Sequence, residues 1–178
     1  LAPRATRLMD SYTPENHVYI QQHDLAGSAS PVVFPYGGKT MIAYAQKEGV
    51  LRLLDASAMG GTRGEHSTPL YMSPQLGNDA AKGTDPSQGV WGAVTTYLTP
   101  DNKRFVYVPM WGPPSTKAPK FAHDNGPTPN GSGMAFQISG DFAKPTVDAV
   151  WMSPDMIRPD PPVVANGVVY ALSTGGQA

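Results

Sequence analysis

The tripeptide Met-Ser-Pro occurs twice in this chain, and each copy closes a block of short apolar runs. The copies occupy residues 72–74 and 152–154, so they lie 80 residues apart. Between them the order of apolar run, turn and apolar run repeats. An internal repeat of this size predicts similar units placed side by side, because one unit alone cannot bury the apolar faces of its sheet.

Composition supports short strands joined by tight turns. The 178 residues include 19 glycines and 19 prolines, which separate regular apolar runs. Charged residues make up 15% of the chain and the net charge is −1, so no basic surface exists to neutralise phosphates and we expect no nucleic acid partner. Cysteine is absent, which excludes disulfides and thiolate metal sites within these residues. No apolar run reaches the roughly 18 residues of a transmembrane helix, so we expect no membrane span.

The first block covers about residues 28–75 and contains four runs with strand character. These runs are residues 31–35, 40–46, 50–55 and 69–73. Gly37-Gly38 separates the first two, and glycine tolerates the positive φ of a hairpin turn. Four short strands joined by hairpins predict an antiparallel meander.

The second block covers about residues 88–154 and repeats this order. Its predicted strands are residues 90–98, 104–109, 133–138 and 147–152, with a long insertion at residues 110–131. A third block, residues 160–178, begins with a predicted hairpin on Asn166-Gly167 and is incomplete. Outside the blocks, residues 17–20 predict a weak strand and residues 76–83 a short helical turn.

Repeated four-stranded antiparallel sheets are the blades of a β-propeller. We therefore predict an all-β fold in which residues 1–178 form part of one propeller domain, with about two and a half blades present. An immunoglobulin-like sandwich is the main rival, but it does not explain two blocks with the same ending. We expect the missing blades, from the same protein or from other copies, to be the partners of this chain.

Three segments resemble the repeats of quinoprotein propellers, the family of pyrroloquinoline-quinone (PQQ) enzymes. Residues 50–61 look like the blade signature, an apolar strand ending in Asp-Ala before a glycine turn. Residues 30–34 and 162–172 are similar to the inner-strand hairpin, and the resemblance extends over residues 24–175. It implies a secreted bacterial protein located in the periplasm or outside the cell.

The resemblance also implies where a cofactor site would lie. Trp91 matches an inner-strand aromatic that would stack on PQQ, although a tryptophan wedged between blades is the competing interpretation. Relatives carry an asparagine that binds Ca²⁺ where this chain has Gly112, and they carry a vicinal cysteine pair that is missing here. The histidines show no metal-ligand spacing, so we predict no metal site from the residues themselves.

The insertion at residues 110–131 is the other candidate site. It carries Trp111, His123, Asp124 and Asn125. Long ordered loops in compact domains often bind ligands or partners, so this one could cover a funnel mouth or contact a partner. A rigid surface loop is the alternative.

Two classes of function remain. The first is a binding or scaffold propeller that keeps the fold without the cofactor, which the missing asparagine oxygen favours. The second is a PQQ- and Ca²⁺-dependent dehydrogenase of alcohols or sugars, an oxidoreductase.

Overall fold

The computed structural model describes residues 7–61 and 68–176, which form an all-β fold with little helix. The one α-helix of these residues is α1 (His17–Gln22). The strands of the first half are β1 (Ala29–Ser30), β2 (Val32–Tyr36), β3 (Lys39–Tyr44), β4 (Arg52–Asp55), β5 (Tyr71–Met72), β6 (Gly89–Val90) and β7 (Gly92–Ala93). Those of the second half are β8 (Thr95–Leu98), β9 (Arg104–Trp111), β10 (His123–Asp124), β11 (Gly131–Asp141), β12 (Lys144–Met152), β13 (Val163–Ala165) and β14 (Val168–Tyr170).

The first block folds into a four-stranded antiparallel sheet in the order β2-β3-β4-β5. This confirms the four strands predicted for it, including the hairpin turn at Gly37-Gly38. Alternate residues of β3 point to opposite faces. Met41 and Ala43 are buried in the core on one face, whereas Ile42 and Tyr44 lie on the other.

The second block contains the predicted antiparallel meander β8-β9-β11-β12, but its sheet is larger than predicted. β6 pairs with the end of β9, and β10 adds in parallel to the outer side of β12, so the sheet has six strands. The predicted first strand, residues 90–98, is interrupted, because Gly92 adopts φ +82° between β6 and β8. The insertion is also shorter than predicted, since β9 extends to Trp111 and β11 begins at Gly131.

The third block is the predicted hairpin β13–β14. Asn166 and Gly167 form its turn with φ of +51° and +75°, the left-handed pair that a two-residue hairpin needs. Two other predictions concern helices. The short helical turn is confirmed as a 3-10 turn at Ala80–Lys82, whereas the strand predicted for residues 17–20 is wrong, since these residues belong to α1.

The two Met-Ser-Pro copies close their sheets with the same hydrogen bonds. Ser73 N–H donates to the Leu51 carbonyl at 2.9 Å, and Leu51 N–H donates back to Ser73 Oγ at 3.0 Å. Ser153 repeats this exchange with Gly133, at 2.9 Å in both directions. Each serine hydroxyl then donates to the carbonyl of the following proline at 2.7 Å. The two copies of the sequence repeat therefore form the same pattern of hydrogen bonds.

The repeat continues beyond the serines. Leu76 N–H donates to the Gly49 carbonyl, and Met156 N–H donates to the Gly131 carbonyl. In both blocks the donor lies three residues after the serine. The acceptor lies two residues before the residue that exchanges hydrogen bonds with that serine. This bond ends the outer strand and turns the chain back towards the start of the next block.

Neighbouring units are arranged in a row. The two large sheets pack face to face over one core, whose largest members include Phe34 and Met41 on the first sheet and Met134 and Phe136 on the second. β2 contacts β8, and β8 contacts β13, so the first strands of successive blocks lie next to each other in space in the order of the chain. The outer strands of the first two blocks, β5 and β12, are also in contact. The short parallel pair β1–β7 aligns the segments that lead into the first two blocks. The described residues do not close into a ring.

The segment before β1 lies across the outer face of the first sheet. The Tyr12 ring contacts that of Tyr44 edge-on at 5.8 Å, and Asn16 Nδ2 donates to Glu48 Oε1. Ile20 of α1 is buried. Across residues 7–61 and 68–176, no helix has the length and apolar character required to cross a bilayer.

Candidate functional site

Two of the sequence-predicted site residues form a stacked pair at one edge of the second sheet. Trp91 lies between β6 and β7, and Trp111 is the last residue of β9. Their ring centroids are 5.1 Å apart and their planes differ by 21°. The Trp111 Nε1–H group donates to the Pro159 carbonyl at 3.0 Å, which fixes the second ring against the segment before β13.

A cation lies at each end of this pair. The ammonium of Lys47 lies 5.2 Å from the centroid of the Trp91 ring, and the guanidinium of Arg158 lies 5.6 Å from that of Trp111. Lys47 is buried and its ammonium pairs with Asp24 at 3.0 Å, whereas Arg158 is exposed. We name this column of four side chains the tryptophan stack. Cations over indole faces stabilise such columns by the electrostatics of the aromatic quadrupole.

Glycines allow the backbones around the tryptophan stack to approach closely. Gly89 has φ +89°, and a Cβ atom there would lie 2.0 Å from the Lys47 carbonyl oxygen. Gly112 has φ +80°, and a Cβ atom there would lie 2.6 Å from Gln88 Oε1. Local backbone geometry thus favours glycine at position 112.

Asn78 holds the buried end of the tryptophan stack in place. Its Nδ2 group donates to the Lys47 carbonyl at 2.8 Å and to the Asp85 carbonyl at 2.9 Å, and its Oδ1 accepts from Asp85 N–H. Asn78 has φ +52°, and Arg158, which lies 80 residues later, has φ +50°. The residue at this position after the first block, Asn78, therefore binds the Lys47 backbone, whereas the matching residue after the second block, Arg158, lies over Trp111.

Trp91 contacts two groups through its ring. The Trp111 indole stacks on it at 5.1 Å between centroids, and the Lys47 ammonium lies 5.2 Å from its centroid. A planar cofactor that stacked on Trp91 would compete with these contacts. The Trp91 Nε1–H group is buried and has no hydrogen-bond partner in the described part of the chain.

The other predicted residues of the insertion do not join the tryptophan stack. His123 and Asp124 form β10 at the outer edge of the sheet, opposite Trp151 and Met152. Three strand spacings, roughly 14 Å, separate β10 from β9. Asn125 Nδ2 donates to the Met152 carbonyl at 2.6 Å, and Asp124 accepts from Gly126 N–H at 2.9 Å. These contacts attach the insertion to the sheet.

Aspartates in the loops accept hydrogen bonds from backbone and side-chain groups of nearby loop residues. Hydrogen bonds from the side chain and backbone of Ser87 lower the pKa of Asp85, and those from Asn130 lower the pKa of Asp155. Asp79 accepts from the Thr116 backbone at 2.7 Å and so connects the insertion to the first block. Among residues 7–61 and 68–176, no three His, Asp or Glu side chains come together as a metal site.

A cleft on the outer face of the first sheet is a further candidate site, and sequence reasoning did not identify it. The cleft has a volume of about 510 Å³, and its lining includes Tyr12, Glu48, Arg52 and Met72. Arg52 is buried and pairs with Glu48 at 2.7 Å. Burial lowers the pKa of Arg52, but the Glu48 carboxylate offsets this effect and the pKa is raised. Opposite charges four residues apart, at Glu48 and Arg52, were the one sign of this ion pair in the sequence. Sequence reasoning missed the pair because Glu48 lies in the turn before β4.

Comparison of the chain with known proteins assigns no role to the tryptophan stack, the attached insertion or this cleft. No family model matches the chain, and neither a curated protein nor a solved structure is detectably similar to it.

Proposed function

We propose that this chain is part of a quinoprotein-like β-propeller that works as a binding or scaffold module. Support for the propeller comes from the repeated closure at Ser73 and Ser153 and from the row of first strands β2, β8 and β13. Sheets that repeat around an axis place their first strands side by side near that axis. A location in the periplasm or outside the cell rests on the sequence resemblance and belongs to the same proposal.

The observation that favours binding over catalysis is the filled environment of Trp91. A PQQ enzyme needs an open aromatic face, oxygen ligands for Ca²⁺ and a carboxylate base. Here Lys47 and Trp111 contact the ring, and Gly112 brings no side-chain oxygen. The residues at this edge therefore do not fit that cofactor in the arrangement described. They fit a rigid platform on which neighbouring units and loops are held.

The alternative is a PQQ- and Ca²⁺-dependent dehydrogenase of alcohols or sugars. One observation favours it, because the tryptophan stack places two indoles beside an exposed guanidinium, Arg158, at the edge to which the resemblance assigns the cofactor. A bound Ca²⁺ would act as a Lewis acid on the quinone.

Titration with PQQ and Ca²⁺ separates the two functions. Our proposal predicts unchanged tryptophan fluorescence, no quinone absorption retained after gel filtration, and no dye reduction with alcohols or aldoses. Trp91→Phe and Trp151→Phe serve as matched variants, because Trp151 lies outside the tryptophan stack. Retained quinone absorption that Trp91→Phe abolishes and Trp151→Phe preserves would replace the scaffold proposal with the dehydrogenase.

A further inference from the structure

Arg104 is a buried cation without an acidic partner. Three lysine or arginine residues of the ranges 7–61 and 68–176 are buried, and two of them are paired, Lys47 with Asp24 at 3.0 Å and Arg52 with Glu48 at 2.7 Å. Arg104 is 7% exposed, and no carboxylate of these ranges forms an ion pair with its guanidinium. Burial lowers the pKa of Arg104, but arginine stays protonated in proteins. Because a buried charge without a counter-charge is costly, an anion beside Arg104 would be stabilising.

The Arg104 side chain lies between the two large sheets. Arg104 is the first residue of β9 and is paired with Leu98 of β8 on one side and with Ile138 of β11 on the other. Its guanidinium lies 5.1 Å from the centroid of the Phe34 ring, which belongs to the first sheet. Phe34 and Ile138 are buried, so apolar side chains displace part of the water that would solvate the charge.

Two hydrogen bonds hold the guanidinium and leave donors unused. Nη2 donates to the Pro35 carbonyl at 3.2 Å, and Nη1 donates to Thr96 Oγ1 at 3.3 Å. A guanidinium has five N–H groups, so these bonds use two of the five. Nε is buried and has no hydrogen-bond partner in the part of the chain that the structure describes. Since bonds to both sheets fix the group, its free donors are preorganised for the oxygen atoms of an anion.

A pocket of about 240 Å³ opens where Arg104 meets Pro35, since both residues line it. Two turns contribute further lining. Gly37 and Gly38 form the turn after β2, and Asn102 lies in the turn before β9. Asn102 contributes a side-chain amide, and none of the described Asp or Glu residues belongs to the lining. The pocket therefore combines a positive charge with an amide donor and has no negative charge on its walls.

Two carboxylates lie near this pocket, and neither neutralises Arg104. Asp101 precedes Asn102 in the same turn, but it pairs with Lys103 at 2.8 Å. Burial and, to a smaller extent, the charge of Asp141 raise the pKa of the Tyr36 hydroxyl, so Asp141 lies near that hydroxyl. Both carboxylates are beyond ion-pair distance of the guanidinium.

We propose that this pocket binds a small oxyanion, the carboxylate or phosphate group of a ligand, on the Arg104 guanidinium. Two oxygens of either group match the planar fork of a guanidinium. The pocket is smaller than the roughly 300–1,000 Å³ of sites for drug-sized ligands, so it admits the anionic group and little more. Arg104 begins β9 and Trp111 ends it, so this site lies roughly 23 Å from the tryptophan stack and is not tested by the PQQ titration.

Nitrogen-15 NMR of the Arg104 side chain tests the site directly. The Nε–H resonance is assigned by its loss in Arg104→Lys, and the parent protein is titrated with sodium acetate and, separately, with sodium phosphate. Sodium chloride keeps the ionic strength constant. The proposal predicts a shift of this resonance that saturates. Saturation with acetate alone identifies a carboxylate site, with phosphate alone a phosphate site, and with both a site for either group. No saturable shift with either anion would overturn the proposal.

A charge change at Leu98 provides the second test. Leu98 is paired directly with Arg104 and is 44% exposed, so its replacement leaves the bonds of Arg104 to Pro35 and Thr96 in place. Leu98→Glu puts a carboxylate beside the guanidinium and is expected to weaken anion binding at least tenfold. Leu98→Gln has the same shape without the charge and should bind within about twofold of the parent protein. Far-UV circular dichroism checks that both variants are folded. Equal weakening in the two variants, or full binding by Leu98→Glu, would rule out the Arg104 site.

Discussion

Ser73 and Ser153 each replace a strand hydrogen bond at the point where an outer strand ends. Each hydroxyl accepts from a backbone N–H of the adjacent strand and donates to the carbonyl of its own proline. Both serines are buried, so the bonds are shielded from water. The proline that follows has no N–H to continue the ladder. The serine hydroxyl therefore fixes the end of the strand in both blocks.

Removal of either hydroxyl is expected to destabilise the fold to a similar degree. Ser73→Ala leaves the buried Leu51 N–H group without its acceptor, and Ser153→Ala does the same to the half-buried Gly133 N–H group. Each loss costs about 1–3 kcal/mol in the free energy of unfolding. Urea denaturation followed by circular dichroism measures the change. Ser139→Ala on β11 is the control and should remain within about 0.5 kcal/mol of the parent protein. A large loss at one serine with none at the other would contradict the equivalence of the two blocks.

Sequence reasoning at this scale identified the Met-Ser-Pro repeat but not the partners of the tryptophans. Trp91 and Trp111 were singled out separately, and their stacking depends on the fold of two blocks. Lys47 and Arg158 gave no signal, because the first follows a strand and the second lies in a loop far away in the chain. Left-handed backbone at Asn78 and Arg158 becomes visible only in the structure, since neither is a glycine.

At the scale of elements, pairing and turns were the predictable part. The strands of the two meanders and the Asn166-Gly167 hairpin follow from apolar runs bounded by glycine, proline and asparagine. The exceptions are elements that depend on distant partners. β10 is two residues long and exists because β12 offers a free edge, and α1 has an apolar run too short to separate helix from strand.

Gly112 connects the end of β9 to the insertion, and its replacement should disturb this edge of the sheet. Gly112→Ala combines a left-handed φ of +80° with a clash against Gln88, so we expect a loss of about 1–3 kcal/mol. Near-UV circular dichroism reports whether the stacked pair of Trp91 and Trp111 changes. Gly126→Ala is the matched control, because its φ is +103° but its Cβ would meet open space. Equal effects at both glycines would show that the contact with Gln88 does not matter.

At the scale of the whole molecule, the described residues form repeated sheets whose first strands lie in a row. The core between the first and second sheets accounts for most buried apolar side chains of the described residues. The number of further units and the closure of a ring could not be predicted from the sequence, because each unit specifies only its contacts with its neighbours. Function could not be predicted from the sequence either, since the site of the proposed propeller would be assembled from the loops of several units.

The mass of the purified chain in solution tests this account most directly. Too few blades for a closed ring leave apolar side chains such as Met72, Val168 and Tyr170 exposed, so we expect the chain to associate. Sedimentation equilibrium should give a mass above that of one chain, 18.9 kDa, and the mass should rise with protein concentration. Dilution should reverse the association and lower the thermal unfolding temperature, because the covered faces become exposed. A stable, monodisperse species of 18.9 kDa at all concentrations would contradict the account.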